Sequence, residues 1–378
     1  MIYLDNGATT NHKPWGVKKA VLKSVFKKFC SNPHRGGYNL SNFLAVKIYN
    51  IRESLANFFG IKNAENCIFT SGCTEALNLA ILSTAKIGGH VITTCYEHNS
   101  VLRPLFKLEK EGKISLTILY PNSQGEITIK SITEAIKPNT YMIISTFTSN
   151  VTGYTLNILE IGKICKEKSL LFLVDCAQSG GHEKIDMKKL NIDYVSIAGH
   201  KGFYASTGIG ALICSDNGKK FLNPIKFGGT GTQSDKPIQP TDFPDGFESG
   251  TPNTTGILSL GEGLNFVEKN LDKINTKIYN LTKYLVEELK KIPQIIIYPS
   301  NNLKSGVVAF NIKKVASNDV GNFLNDHNIC VRCGLHCAPL VHKNFNTLNL
   351  GMIRVSLSYF NKKREINKLI SFLKAFIN

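Results

Sequence analysis

The length, composition and charge of the chain narrow its class before any motif is considered. It has 378 residues, of which 42% are hydrophobic and 19% charged, as in an ordinary globular protein with two lobes. No apolar run approaches the roughly 20 residues that a membrane helix needs, which argues against a membrane protein. A strand pattern begins almost at Met1 and leaves no room for a signal peptide. We therefore expect a cytoplasmic protein whose ten cysteines are thiols.

The net charge of +17 raises the question of a nucleic-acid partner. Six of the 45 basic residues are arginines, and the lysines are spread along the chain without a long basic block. The sequence has no zinc-finger, RRM-like or KH-like pattern. A solvated, lysine-rich surface is therefore the expected source of the charge, and a nucleic-acid partner is not expected. The few arginines are informative, because their planar fork binds carboxylate and phosphate at two points.

Apolar runs typical of strands alternate with helical stretches over most of the chain. The predicted strands are Cys67–Thr70, 90–94, 116–120, 141–147, Leu171–Asp175, Tyr194–Ala198 and 208–214. Predicted helices between them include 74–84, 100–111 and 156–167. This alternation indicates an α/β protein whose large lobe has a mostly parallel sheet covered by helices on both faces. In such sheets ligands bind beyond the carboxyl ends of the strands.

The pattern changes after about Thr255 and indicates a smaller α+β lobe. A long helical region runs to about Lys291, and strands are predicted at 295–298, at 306–312, near 330–332 and at 353–358. A final helix places apolar residues on one face, as core packing requires: Ile366, Leu369, Ile370, Leu373 and Phe376. We predict a large domain over residues 16–255 and a small domain built from residues 1–15 and 256–378.

Two residues at predicted strand ends suggest a cofactor. Asp175 ends a buried hydrophobic strand, where a carboxylate needs a partner because burying an unpaired charge is costly. A pyridinium nitrogen is such a partner, and holding it protonated makes the ring an electron sink. Lys201 follows the next predicted strand, 26 residues later, and is expected at the same edge of the sheet. By itself this lysine could equally be a surface residue.

Three more polar groups follow predicted strands. The run Ser71-Gly72-Cys73-Thr74-Glu75 leads into a helix start, whose free N–H groups favour an anion, although an ordinary capped helix has the same pattern. His98 follows strand 90–94 and can stack on an aromatic cofactor or carry protons. Asn150 follows strand 141–147 and offers an amide for a phenolic oxygen. Each pattern is weak alone, but five strand-end groups in this order indicate one site.

The chain resembles the class V aminotransferase-like enzymes of pyridoxal phosphate, specifically the cysteine desulfurases and selenocysteine lyases. The resemblance covers nearly the whole length. Its motifs include Tyr3-Leu4-Asp5-Asn6, Asn32-Pro33-His34-Arg35-Gly36, Glu97-His98, Asp175-Cys176-Ala177-Gln178, Gly199-His200-Lys201, Ser249-Gly250-Thr251-Pro252-Asn253-Thr254, Arg332-Cys333-Gly334-Leu335-His336-Cys337-Ala338 and Arg354-Val355-Ser356-Leu357. It implies the pyridoxal-phosphate-dependent transferase fold of type I and a homodimer.

The resemblance also implies roles around the cofactor ring. Lys201 would hold the cofactor as a Schiff base, and Asp175 would pair with its ring nitrogen. His98 would stack on the ring. Gln178 and Asn150 would bond the phenolic oxygen or the substrate.

At the phosphate the resemblance implies three residues. Thr74 and His200 would hold this group, and Thr251 would reach in from the second subunit of the dimer. Two positions depart from the family pattern. Ala198 stands where relatives commonly have a hydroxyl residue, and Cys73 replaces a usual threonine. We assign neither of them a binding role.

The resemblance further implies a substrate site and a nucleophile. Arg354 would bind the substrate carboxylate, with Arg35 and Arg332 nearby. Cys337 would attack the sulfur of L-cysteine, take it as a persulfide and pass it to an acceptor that the sequence does not identify. Such a thiolate needs cations near it, which Arg332 and His336 could supply.

Other interpretations of these residues stay open. Cys337 could be a buried structural thiol, and Cys330 and Cys333 have the C-x-x-C spacing of some zinc sites, although structural sites usually draw ligands from a second, separate segment. Cysteine desulfurase is the predicted function. The alternatives are a selenocysteine lyase, another class V amino-acid lyase or aminotransferase, and, in a different class, a non-catalytic basic scaffold.

Overall fold

The structure is a computed structural model, which describes residues 1–26, 29–33, 36–122 and 125–377. Arg35 lies outside the described residues. The strands are β1 (Ile2–Tyr3), β2 (Cys67–Thr70), β3 (Gly89–Thr94), β4 (Ile114–Leu119), β5 (Thr140–Thr146), β6 (Leu171–Asp175), β7 (Tyr194–Ala198), β8 (Gly210–Cys214), β9 (Ile295–Ile297), β10 (Val307–Ile312), β11 (Ile329–Cys330), β12 (Arg332–Gly334) and β13 (Met352–Ser356). The helices are α1 (Trp15–Ser24), α2 (Asn39–Phe58), α3 (Cys73–Ser83), α4 (Asn99–Lys110), α5 (Ile129–Glu134), α6 (Ile158–Glu167), α7 (Asp216–Lys219), α8 (Thr254–Lys290), α9 (Ser317–Asp326), α10 (Pro339–Asn344) and α11 (Lys363–Ile377).

A sheet of seven described strands lies at the centre of the molecule. Its strand order is β2-β8-β7-β6-β5-β3-β4, and neighbours are parallel except at β8, which runs antiparallel to β2 and β7. Strands β2, β3, β6, β7 and β8 are buried at every residue, as expected of a sheet covered on both faces. The predicted mostly parallel sheet is confirmed, and β2, β6 and β7 have the predicted bounds.

The carboxyl ends of three central strands lie side by side. Thr146, the last residue of β5, pairs with Asp175 at the end of β6, and Asp175 pairs with Ser196 of β7. Lys201 follows the end of β7 by three residues. Residues that follow these strands therefore share one edge of the sheet.

The C-terminal part of the chain builds a second core. Strands β12, β13, β10 and β9 form an antiparallel sheet, and β1 pairs in parallel with β11. Helix α11 buries four apolar residues in this core and packs Phe376 against it; the four are Ile366, Leu369, Ile370 and Leu373. The predicted smaller α+β region and the apolar face of its last helix are confirmed.

Helix α8 is shared by the two cores. Leu260 and Leu264 near its start pack in the core around the large sheet, whereas Leu285 and Leu289 near its end pack in the second core. The predicted boundary at residue 255 therefore falls within the first turn of a helix that contacts both cores, and the division into two domains stays a prediction. No helix within the described ranges is long and apolar enough to cross a membrane.

Candidate active site

A cavity of about 270 Å³ opens at the carboxyl edge of the large sheet, beside the first turn of α3. Seven predicted site residues line it: Thr74, His98, Asn150, Asp175, Gln178, His200 and Lys201. The structure thus brings together residues that are spread over more than 120 positions of the sequence. Thr251, Arg332, Cys337 and Arg354 lie outside this lining.

Asp175 presents one carboxylate oxygen to the protein. Its Oδ1 accepts a hydrogen bond from the Ala177 N–H at 2.8 Å and one from the Cys73 thiol at 3.4 Å. No hydrogen bond from the described residues reaches Oδ2. A buried carboxylate with one free oxygen is suited to a cationic partner such as a protonated ring nitrogen.

Cys73 lies in the wall of the cavity, although the sequence analysis assigned it no binding role. Burial, with the charge of Asp175 adding to it, raises the pKa of the Cys73 thiol well above its usual value. The thiol therefore stays protonated and can donate to Asp175. The departure from threonine at this position preserves a hydrogen-bond donor, though a weaker one.

The amine of Lys201 has the properties of a nucleophile. Burial lowers its pKa, the nearby thiol of Cys73 and the carboxylate of Asp175 oppose that shift, and the charges of Arg354 and Arg332 add to it. A lowered pKa increases the fraction of neutral amine, which is the form that attacks a carbonyl group. The predicted attachment of a carbonyl cofactor at this residue fits its surroundings.

A hydrogen-bonded chain connects His98 with Thr74 of the segment 71–75, the predicted phosphate cradle. Nδ1 of His98 accepts from the Ser100 N–H at 3.0 Å and lies 2.7 Å from Ser100 Oγ, which is 2.9 Å from Thr74 Oγ1. Burial lowers the pKa of His98 to about 4, so the ring is neutral at pH 7. Because a backbone N–H can only donate, the ring proton is on Nε2. The sequence analysis missed Ser100, which lies in the first turn of α4, and it did not identify His98 as the residue that caps this helix.

Two polar atoms of residues in the cavity wall lack a partner within the described ranges: Asn150 Oδ1 and His200 Nδ1. Burial lowers the pKa of His200 to about 4. Buried polar groups without partners are rare in folded proteins and indicate a missing ligand or water. Together with Lys201 and Asp175, these groups fit a polar aromatic cofactor that bears a phosphate.

The two amide side chains at the cavity hold distant parts of the chain. Asn150 Nδ2 donates to the carbonyl of His336 at 2.7 Å, and Gln178 Nε2 donates to the carbonyl of Gly7 at 2.9 Å. Both side chains are buried. Their predicted bonds to a phenolic oxygen stay predictions, and their observed bonds fix the segment before Cys337 and the N-terminal segment against the cavity.

Arg354 and Arg332 lie opposite each other on β13 and β12. Arg354 is fully buried; its Nη2 forms an ion pair with Asp5 Oδ1, and its Nη1 donates to the Asn150 carbonyl at 2.8 Å. Two facing guanidinium groups favour an anion between or beside them. Asp5 supplies one negative charge beside them. The sequence analysis gave Asp5 no role, and its place in the motif Tyr3-Leu4-Asp5-Asn6 was the only indication that it belongs to the site.

The Cys337 thiol is exposed, and Arg332 Nη2 lies 3.6 Å from its Sγ. Arg332 is therefore a cationic neighbour, as predicted. The prediction for His336 is wrong: burial, with the charge of Arg354 adding to it, lowers the pKa of His336 to about 2, so this ring is neutral at pH 7. The structural-thiol interpretation of Cys337 is also wrong, because the side chain is not buried.

Cys330 and Cys333 lie on different strands, β11 and β12. The Cys333 sulfur packs against Gly321 of α9. Within the described ranges, no group of three or more His, Cys, Asp and Glu side chains is arranged to hold a metal ion. The geometry gives no support to the zinc interpretation.

Comparison with known proteins agrees with the site. The profile of the class V aminotransferase family matches residues 2–369. Proteins named probable cysteine desulfurase are 33% identical in Pyrococcus abyssi and 32% identical in Borreliella burgdorferi; they align with 100% of this chain and with 94% and 92% of their own lengths. The apo structure of a cysteine desulfurase from Thermococcus onnurineus NA1 is 31% identical, with a TM-score of 0.91 over 100% of this chain and 94% of that one. The chain belongs to the class V aminotransferase family, whose members depend on pyridoxal phosphate, and it has their type I fold.

Proposed function

We propose that the protein is a cysteine desulfurase, which converts L-cysteine to L-alanine and takes the sulfur onto Cys337 as a persulfide. The observation that carries this proposal is an exposed thiol 3.6 Å from a guanidinium group, in a segment bonded to the wall of the cofactor cavity. A cation beside a thiol favours the thiolate, which is the nucleophile. An exposed sulfur can also be reached by an acceptor.

The cavity residues bind the cofactor and move protons. Lys201 would hold the cofactor through its amine, Asp175 Oδ2 would hold the ring nitrogen, and Thr74 and His200 would hold the phosphate. When bound, pyridoxal phosphate would supply an electron sink for the bond that breaks at the α carbon of the substrate. Lys201, once its amine is free, is the base that removes the proton there. Arg354 and Arg332 would bind the substrate carboxylate.

The sulfur step needs no external oxidant. The Cys337 thiolate attacks the substrate sulfur, an S–S bond forms and the bond from sulfur to the β carbon breaks. The electron pair of that bond leaves with the carbon skeleton, which takes up protons and is released as L-alanine. The thiol of Cys337 has become a persulfide, so L-cysteine and one protein thiol give L-alanine and one protein persulfide.

Product analysis tests this function. Incubation with L-cysteine should yield L-alanine and add about 32 Da, one sulfur atom, to the Cys337 peptide. Cys337→Ala should retain the cofactor and lose most of this activity. Cys30→Ala is the matched control, because Cys30 is also exposed. Undiminished desulfuration by Cys337→Ala would contradict the proposal. Comparison with L-selenocysteine measures the preference between the two substrates.

The proposal includes a two-fold homodimer in which Thr251 completes the phosphate site of the partner subunit. In the single chain Thr251 is exposed and lines a separate cleft of about 160 Å³, which Ser71 and Glu75 of the phosphate cradle also line. The outer face of α2 supports an interface, because Phe43, Val46 and Tyr49 are exposed there at intervals of three residues.

Mixing two inactive variants tests this dimer. Lys201→Ala and Thr251→Ala each remove one group of the proposed site. Exchange of subunits gives a heterodimer with one subunit of each variant. It contains one site with both Lys201 and Thr251 only if Thr251 acts across the interface. Recovered activity in the mixture is expected. Activity no higher than that of the separate variants, in a mixture shown to contain heterodimers, would refute the arrangement.

The proposed setting is the cytoplasm, with an acceptor protein as the destination of the sulfur. All ten cysteines lie within the described residues and none forms a disulfide, which suits a reducing compartment.

A further inference from the structure

The turn that presents Cys337 has an unusual backbone. It connects β12 with α10, and three of its residues have positive φ angles: 98° at Gly334, 53° at His336 and 58° at Cys337. Glycine adopts this conformation freely, but two successive residues with side chains rarely do so. Surrounding contacts must therefore hold the turn in place.

Two contacts attach the turn to Asn150 in the cavity wall and to Asn99 beside it. The Asn99 N–H donates to the Cys337 carbonyl at 2.7 Å, and Asn150 Nδ2 donates to the His336 carbonyl at 2.7 Å. Both bonds act on the backbone, so they fix the position of the turn and leave the Cys337 side chain exposed. They do not reach Arg332 on β12, which carries the guanidinium group beside the thiol.

A buried chain of side chains makes that connection. His336 Nε2 lies 3.3 Å from the Arg332 carbonyl, and His336 Nδ1 lies 3.4 Å from His342 Nε2. His342 Nδ1 is 2.9 Å from Thr347 Oγ1. The two imidazole rings are nearly parallel, with centroids 5.6 Å apart, and both side chains are almost completely buried.

The positions of the protons along this chain of side chains can be assigned by starting from the Arg332 carbonyl. A carbonyl oxygen only accepts, so His336 Nε2 carries a proton and donates to Arg332. Burial lowers the pKa of His336 to about 2 and that of His342 to about 4, so both rings are neutral at pH 7. Nδ1 of His336 therefore accepts from His342 Nε2, and Nδ1 of His342 accepts from the Thr347 hydroxyl. One arrangement satisfies every group.

We propose that His336 and His342 are positioning residues for the nucleophile, holding the Arg332 carbonyl so that its guanidinium group stays beside the Cys337 thiol. His336 acts on both partners, because its backbone adjoins Cys337 and its ring bonds Arg332. His342 fixes the orientation of that ring. The inference rests on the proposed function only in naming Cys337 as the nucleophile.

Alkylation of Cys337 tests the role without cofactor or substrate. Iodoacetamide modification of the Cys337 peptide, followed by mass spectrometry, gives its rate at pH 7 and pH 9. The rate at pH 9 reports access to the sulfur. The rate at pH 7 divided by the rate at pH 9 reports how strongly the neighbouring guanidinium group favours the thiolate. In His336→Leu and His342→Leu we expect this ratio to fall about fivefold, the factor for one partly exposed charge contact of ~1 kcal/mol.

Conservative variants separate positioning from a general loss of structure. The side-chain amide of a glutamine can donate from the place of Nε2, so His342→Gln and His336→Gln should keep the ratio within about twofold of the parent. His90→Leu is the matched control, because His90 is buried and bonded to Thr140 and Thr117 away from the turn. Its ratio should not change.

The outcomes are distinguishable. An unchanged ratio in both leucine variants, or an equal fall in His90→Leu, overturns the positioning role. If a leucine variant does not fold, Thr347→Val, which removes only the terminal hydroxyl donor, must lower the ratio, and an unchanged ratio there also overturns it. A parent enzyme that forms no Cys337 persulfide from L-cysteine, with leucine variants that lower the ratio, refutes the proposed function and leaves the positioning role standing.

Discussion

The carboxyl group of Glu97 is buried one residue before His98, and it makes stability depend on pH. Glu97 is completely buried, and its Oε1 accepts hydrogen bonds from Thr94 Oγ1 at 2.6 Å and from the Thr146 N–H at 2.9 Å. Burial, with a smaller contribution from the charge of Asp175, raises its pKa from 4.5 to about 8. At neutral pH the folded protein therefore keeps a proton that the unfolded chain has lost.

The sign of the effect follows from this difference in bound protons. The contribution of Glu97 is fully present below the unfolded pKa of 4.5 and is lost as the pH rises toward 8. Between those values the free energy of unfolding falls by about 1.4 kcal/mol per pH unit. At pH 7 the loss amounts to about 3 kcal/mol.

Glu97→Gln removes the titrating group and keeps the shape of the side chain. Urea denaturation of the cofactor-free parent and variant, from pH 5 to pH 8 at one protein concentration, gives the two free energies of unfolding. We expect their difference to change by about 1.4 kcal/mol per pH unit in favour of the variant. The test is the slope of this difference against pH. Its absolute value also depends on the extra amide hydrogen of glutamine, which lies where Glu97 Oε2 has no partner within the described residues. Parallel curves, or the same change in the exposed control Glu109→Gln, would refute the assignment.

Three further changes test the site. Borohydride should fix the cofactor to Lys201 in the parent, and Lys201→Ala should carry no covalently trapped cofactor; a trapped adduct in the variant would refute its role. Asp5→Asn should lower the free energy of unfolding by about 3 kcal/mol in urea denaturation, because it leaves the buried charge of Arg354 without its partner; unchanged stability would show that the pair contributes nothing. Cys73→Ala should weaken cofactor binding about fivefold, the loss of one hydrogen bond to Asp175, and Cys73→Ser should not; equal dissociation constants for both variants would contradict the thiol donor.

The sequence predicted those parts of the site that depend on local pattern. Asp175 ends one buried, mainly apolar strand and Lys201 follows the next, and such strands are typical of a parallel sheet covered by helices. Their neighbourhood follows from the fold class alone, because parallel strands have their carboxyl ends at one edge. The resemblance then added Cys337, in the turn after β12, and Arg354, on β13. No periodicity could have brought these two residues to the cavity.

The residues that sequence analysis missed or misjudged depend on contacts between distant segments. Asp5 contacts Arg354 across 349 positions, and Cys73 contacts Asp175 across 102. Strand patterns say which face a side chain occupies, but not which distant side chain faces it. His336 was misjudged for a related reason: its side chain is buried while that of Cys337 is exposed, in a turn where both residues have a positive φ that the sequence does not predict.

The hydrogen bonds of the two cavity amides connect the turn that carries Cys337, the proposed nucleophile, with the cavity proposed for the cofactor. Asn150 bonds the segment that carries Cys337, and Gln178 bonds the N-terminal segment that carries Asp5. Asp5 in turn holds Arg354, and Arg354 donates to the Asn150 carbonyl. The cavity wall, Arg354 and the turn that carries Cys337 therefore form one connected set of hydrogen bonds. Movement of the turn away from the cavity would break the bond to Asn150 and leave a second buried polar atom of that amide without a partner. Because such groups are costly to bury unpaired, the turn that carries Cys337 is held at the cavity before any substrate binds.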